Sequence, residues 1–105
     1  MPRLHIALHD GFRGDRVVIA VDGRVVFDRP GVKTDLRISR ADAVNADTVG
    51  QRAVVAVTVE PGQAQEPPAQ GSVKVDVSAT PFLGVDRRPD GGLSFKPASE
   101  TFAYL

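Results

Sequence analysis

Apolar residues recur at every second position along much of this chain, and a period of two predicts strands rather than helices. Leu4, Ile6 and Leu8 alternate with His5, Ala7 and His9, which predicts a half-buried first strand. The cleanest alternation runs from Ser72 to Ala79, with Val73, Val75, Val77 and Ala79 on one side and Ser72, Lys74, Asp76 and Ser78 on the other. Leu36 and Ile38 alternate with Asp35, Arg37 and Ser39, as expected of a strand with one wet face ending near Arg40. Ala53 to Val59 is almost continuously apolar, and Val54, Val55 and Val57 within it favour a buried central strand.

Turn formers separate these runs. Two glycines and two aspartates in 9–15 supply positive φ angles and local hydrogen bonds, so the chain should reverse there. Asp22-Gly23 between Val17–Val21 and Val25–Phe27 predicts a two-residue hairpin with a type I′ turn. A regular ladder from that turn would pair Val21 with Arg24, Ala20 with Val25, Ile19 with Val26, Val18 with Phe27 and Val17 with Asp28, leaving both faces of the ribbon largely apolar. Arg29-Pro30-Gly31 reads as a second turn, and Ser39-Arg40-Ala41-Asp42 as a capping box that could open at most one helical turn, with Ala41 and Val44 as its apolar stripe. The Pro/Gln-rich segment 61–71 reads as an exposed loop. Phe82–Asp86 and Leu93–Phe95, joined across 88–92, read as a final hairpin, and Phe102, Tyr104 and Leu105 close the chain.

The sum is about seven or eight short strands and no long amphipathic helix, which places the chain in the all-β class. The expected architecture is an antiparallel β-sandwich, immunoglobulin-like or transthyretin-like. With 105 residues, one domain over 1–105 is expected. A hydrophobic fraction of 42% and a charged fraction of 25% are ordinary for a globular chain and argue against disorder.

Charge and chemistry narrow the function. Thirteen Lys and Arg balance thirteen Asp and Glu, so no net field favours nucleic acid or anionic lipid. The absence of cysteine excludes thiol nucleophiles and thiolate metal sites and fits a reducing, cytoplasmic setting. No apolar stretch has the length of a signal peptide or membrane helix, which adds to the cytoplasmic expectation and argues against a membrane role. His5 and His9 share a strand face, but at about 3.3 Å per residue they lie roughly 13 Å apart, too far to chelate one ion together. Ten of the acids are aspartates, several beside glycine, yet turn chemistry accounts for them, and the spacing of a calcium loop is absent around Asp10, Asp15, Asp42 and Asp47. No Gly-x-Ser-x-Gly elbow is present, and a chain without Trp offers few flat platforms for sugars.

The succession Asp22-Gly23-Arg24-Val25-Val26-Phe27, the segment through Leu36 and Ile38, and the ending Phe102-Ala103-Tyr104-Leu105 resemble short bacterial all-β proteins that remain functionally uncharacterised. The resemblance implies a compact sandwich used as a stand-alone domain, with no catalytic motif to carry over. The expectation is a non-enzymatic protein-interaction or self-assembling module without cofactor, metal or catalytic residues. Val18, Val26, Phe27, Phe102 and Tyr104 are the candidate interface residues. The alternatives are a sugar- or calcium-binding module using the loops around Asp10, Asp15 and Asp90, and an enzyme using His9 with loop acids.

Overall fold

The computed structural model describes residues 2–35, 37, 40–62, 67–88 and 90–100. Eight strands run in chain order: β1 (Arg3–Leu8), β2 (Arg13–Val21), β3 (Arg24–Lys33), β4 (Asp42–Asp47), β5 (Arg52–Glu60), β6 (Ala69–Asp76), β7 (Phe82–Arg87) and β8 (Leu93–Ala98). They form two four-stranded sheets, ordered β4-β1-β7-β8 and β3-β2-β5-β6. The all-β sandwich is therefore as expected. Within it β1 and β7 pair in parallel, from His5 with Phe82 to Leu8 with Val85, so the sandwich is not wholly antiparallel.

The dry layer between the sheets explains the alternation. Leu4, Ile6 and Leu8 of β1 and Leu83 and Val85 of β7 face Val17 and Ile19 of β2 and Val55, Val57 and Val59 of β5, all buried. Strand β5 alternates strictly between buried and exposed, so its near-continuous apolar run is not buried on both sides. It is central in its sheet, but Val54 stays 41% exposed on the outer face. Strand β6 begins at Ala69, so the last three residues of the segment read as a loop belong to it, and it ends at Asp76, where the Asp76 carboxylate accepts from the Ser78 amide and hydroxyl.

The first hairpin turns at Asp22 and Gly23 with φ of 51° and 82°, the two positive angles that a type I′ turn needs. The Asp22 carboxylate accepts from the Val54 amide at 2.9 Å, tying the turn to β5. Beyond Ala20↔Val25 the ladder departs from the regular one, because a register shift pairs Ile19 with Phe27 and Val18 with Asp28. Phe27 thereby moves to the core face, where it is 6% exposed. Burying a phenylalanine is worth about 1.5–3 kcal/mol, which offsets the unpaired residue of a bulge.

Two other expectations are corrected. Pro30-Gly31 does not reverse the chain: it lies within β3 where the register slips again, and a residue without an N–H is tolerated at a bulge on an edge strand. Asp42–Asp47 is a strand, not a helical turn, because its Val44 and Ala46 pair beside Ile6 and Leu4 over the core. The strand expected through Leu36 and Ile38 rests on residues outside those described, which lie between the bridged Asp35 and Arg40.

An ion pair plugs one end of the core. Arg87 follows Leu83 and Val85 on the inward side of β7, and Asp15 precedes Val17 on the inward side of β2; both are buried. Arg87 Nη1 lies 3.4 Å from Asp15 Oδ2, and Arg87 Nη2 donates to the Pro67 carbonyl at 2.7 Å. The Asp15 carboxylate also accepts from the amides of Arg13 and Gly62, each at 3.1 Å. Beside it, Gly11 takes φ of 91°, and a Cβ there would collide with the Arg87 carbonyl oxygen.

Two stability predictions follow from these contacts. Replacing Asp15 with Ala strands the buried guanidinium, so urea unfolding should show a loss of about 3–5 kcal/mol, whereas Asp15→Leu combined with Arg87→Met should recover most of it. Replacing Asp22 with Ala should lower stability by about 1–2 kcal/mol, through the lost bond to Val54 and the positive φ, while Asp22→Asn should stay near wild type.

Candidate interaction surface

On the outer face of the β3-β2-β5-β6 sheet, small apolar side chains collect in a flat patch. Val25 pairs with Ala20 and Ala20 with Ala56, so the three lie in one row across three strands. Val18 pairs with Thr58 in the adjoining row, and Val54 sits further along the same face of β5. Val25 is 57% exposed, Ala56 is exposed, and Val18 and Ala20 are half-buried.

Charges frame this patch at both ends. At one end the Arg16 guanidinium holds Asp28 through two bonds, at 3.0 and 2.9 Å, and reaches Glu60 at 3.4 Å. The bond from Arg16 lowers the Asp28 pKa, so this carboxylate stays ionised further into acid than an ordinary one. At the other end stand Arg52, Lys74 and Asp76, which with Ala53, Val54 and Val75 line a shallow groove. An apolar centre inside a charged rim is the usual anatomy of a protein contact surface.

Of the residues expected at an interface, the structure places only Val18 on this patch. Val26 lies at the bulge, half-buried against the core, and Phe27 is inside it, so the patch draws on Val25, Ala20, Ala56 and Val54 instead. The register slip that decides this has no marker in the sequence, since Val25, Val26 and Phe27 are equally apolar. Phe102 and Tyr104 lie outside the described residues.

Two of the loop aspartates use their carboxylates within the fold, and the third, Asp10, is held through its backbone amide. Asp15 is buried against Arg87, Asp90 accepts from the Gly92 amide at 2.8 Å, and the Asp10 amide donates to Asp86 at 2.9 Å. Among the described residues no group of three His, Cys, Asp or Glu is placed to hold a metal ion. A groove of about 530 Å³ between the β1–β2 connection and the end of β3 is lined by Asp10, Phe12, Arg13, Lys33 and Thr34 with two glycines, and His9 is not among its walls. The Thr34 hydroxyl in it donates to the His9 carbonyl at 2.6 Å and accepts from the Phe12 amide at 3.1 Å. Among the described residues no helix is long and apolar enough to cross a membrane.

His9 itself directly follows β1 and is half-buried. Burial lowers its pKa from the ordinary 6.5, and the nearby Lys96 and Arg40 act in the same direction, against Asp86 and Asp10, which raise it. His5, further along the same face, has its Nδ1 2.7 Å from Asn45 Oδ1 and its ring edge-on to Phe82. The two histidines thus serve separate contacts.

The class that these observations define is a two-sheet β-sandwich with one flat, apolar outer face. Compared with protein-family models, curated proteins and solved structures, the chain matches none.

The His9 environment sets a pH dependence. The folded protein takes up this proton at lower pH than the unfolded chain, so the contribution of neutral His9 is present above pH 6.5 and fades as pH falls below it. Unfolding midpoints measured down through that range should fall for wild type and fall less for His9→Gln.

Proposed function

We propose that this protein is a non-enzymatic β-sandwich module that works by associating with further copies of itself through the β3-β2-β5-β6 sheet. The observation that carries this reading is the patch around Val25, Ala20, Ala56 and Val54, where two of the large exposed apolar side chains, Val25 and Val54, share one sheet face. Solvated sheet faces ordinarily alternate to polar residues on the outside, and contiguous apolar side chains there mark a contact. A charged rim carrying both signs, Arg16 with Asp28 and Glu60 at one end and Arg52 and Lys74 with Asp76 at the other, suits an isologous pairing, in which each sign can meet its opposite.

For the finer fold type we favour the transthyretin-like over the immunoglobulin-like alternative. Immunoglobulin constant domains keep their first, second, fourth and fifth strands in one sheet. Here β1 and β4 lie in the sheet opposite β2 and β5. A cytoplasmic setting accords with a chain that has no cysteine.

Light scattering across micromolar concentrations tests the reading: the mass should rise above that of the monomer, and Val25→Asp with Val54→Asp should reduce the largest assembly while the far-UV circular dichroism stays the same. A wild-type protein that remains monomeric throughout would overturn it.

A further inference from the structure

The two open flanks of the sandwich are built differently. On the β3/β4 flank, Arg29 reaches from one sheet to Asp42 of the other at 3.3 Å, and its guanidinium lies 5.5 Å from the centre of the Phe27 ring. That pair closes the side of the core with charge, and the bulges and Pro30 of β3 spoil its edge as a template. On the β6/β8 flank, among the described residues, no ion pair spans the sheets. Val73, Leu93 and Phe95 are left half-buried against the core there, and Phe95 fits beside β6 because Gly71 has no Cβ, which would stand 3.0 Å from Phe95 Cε2.

The four sheet edges differ in the same way. Strand β8 carries Lys96 and Pro97, and β4 is short and carries Asp42, Asn45 and Asp47. Strand β6 has neither bulge nor proline: it pairs with β5 in unbroken register from Arg52↔Asp76 to Val59↔Ala69. The Val77 amide donates to the Gln51 carbonyl at 2.6 Å, one step beyond that ladder, so odd-numbered residues of β6 turn their amides and carbonyls towards β5. The even-numbered ones, Gln70, Ser72 and Lys74, turn theirs away from the sheet.

We infer that β6 is the strand through which two copies join, antiparallel about a two-fold axis at Val73, so that the two β3-β2-β5-β6 sheets become one continuous sheet. In that register Ser72 of each copy exchanges both backbone bonds with Lys74 of the other, and Gln70 stands opposite Asp76. No like charges face each other directly. The inward side brings the half-buried Val73 residues together beside the half-buried Leu93 and Phe95. Registers centred further along set Lys74 against Lys74, or place the middle of the strand against Asp76, whose carbonyl already accepts from the Thr80 amide at 2.7 Å and the Thr80 hydroxyl at 2.9 Å and which the register centred at Val73 meets only at its end, opposite Gln70. The occupant is a second copy of this chain because β6 supplies its own complement, polar on one side and valine on the other.

This inference rests on the self-association proposed above and assigns its first step to the edge, the apolar face then joining pairs to one another. Ser72→Pro removes an outward amide without taking a bond from β5, and Ser72→Lys sets an ammonium against Lys74 of the second copy. Both variants should keep the wild-type circular dichroism and, at concentrations low enough that wild type is dissociated, its unfolding midpoint, yet be monomeric by light scattering where wild type is assembled. Val25→Asp with Val54→Asp should stop at the dimer. In wild type, hydrogen exchange at the Ser72 and Lys74 amides should slow at least tenfold as concentration rises, while Val73 and Val75, bonded to β5, change little. Assembly by Ser72→Pro and Ser72→Lys equal to that of wild type, with Ser72 and Lys74 exchange independent of concentration, would overturn the edge contact and leave the self-association reading intact. A monomeric wild type would overturn both.

Discussion

Everything polar in this protein is arranged around one dry layer, in which the valines, leucines and isoleucines of β1, β2, β5 and β7 meet between the sheets. A layer made of alternate residues has open ends and flanks, and each opening must be closed by something that can also face water or find a partner. At one end the closure is ionic. Arg87 stands where the inward parity of β7 calls for an apolar residue, and Asp15, the backbone amides of Arg13 and Gly62 and the Pro67 carbonyl supply the partners that make a buried charge tolerable. The same contacts tie β2, β7 and the connection between β5 and β6 into one corner.

The flanks show two other solutions. Between β3 and β4 a salt bridge over an aromatic ring caps the core, and the bulged edge strand beside it makes a poor template for further pairing. Between β6 and β8 the core is closed by half-buried Val73, Leu93 and Phe95 next to a regular edge. Natural sheets ordinarily blunt their edges with charge, proline or bulges. Strand β3 is bulged, β8 carries a proline and β4 is short, whereas β6, although it carries Lys74 and Asp76, offers eight residues in unbroken register, which the pairing between copies proposed above would use.

The outer face of the β3-β2-β5-β6 sheet belongs to the same logic. Its composition follows from the bulge in β3, which takes Phe27 into the core and leaves Val25 outside beside Ala20. Without that slip Phe27 would stand on the outer face opposite Val18, and the surface would carry a large aromatic ring instead of a flat field of valine and alanine. One unpaired residue thus decides both the filling of the core and the character of the surface.

Alternation by itself determined the class of fold. Side chains of extended backbone point to opposite sides in turn, and Leu4-Ile6-Leu8, Val73-Val75-Val77 and the Asp22-Gly23 turn could be read as strands and a hairpin before any coordinate was known. The strand at Phe82–Asp86 was legible too, but not that Leu83, Val85 and Arg87 form its inward side and carry an arginine into the core. Only the tertiary structure decided the parallel pairing of β1 with β7, the strand at Asp42–Asp47, the meeting of Arg87 with Asp15 and the register of β3. The reason is physical: strand formation is set by neighbours two residues apart, whereas partner, register and burial are set by residues distant along the chain. Asp15 and Arg87 lie 72 positions apart, a separation at which no local pattern carries information.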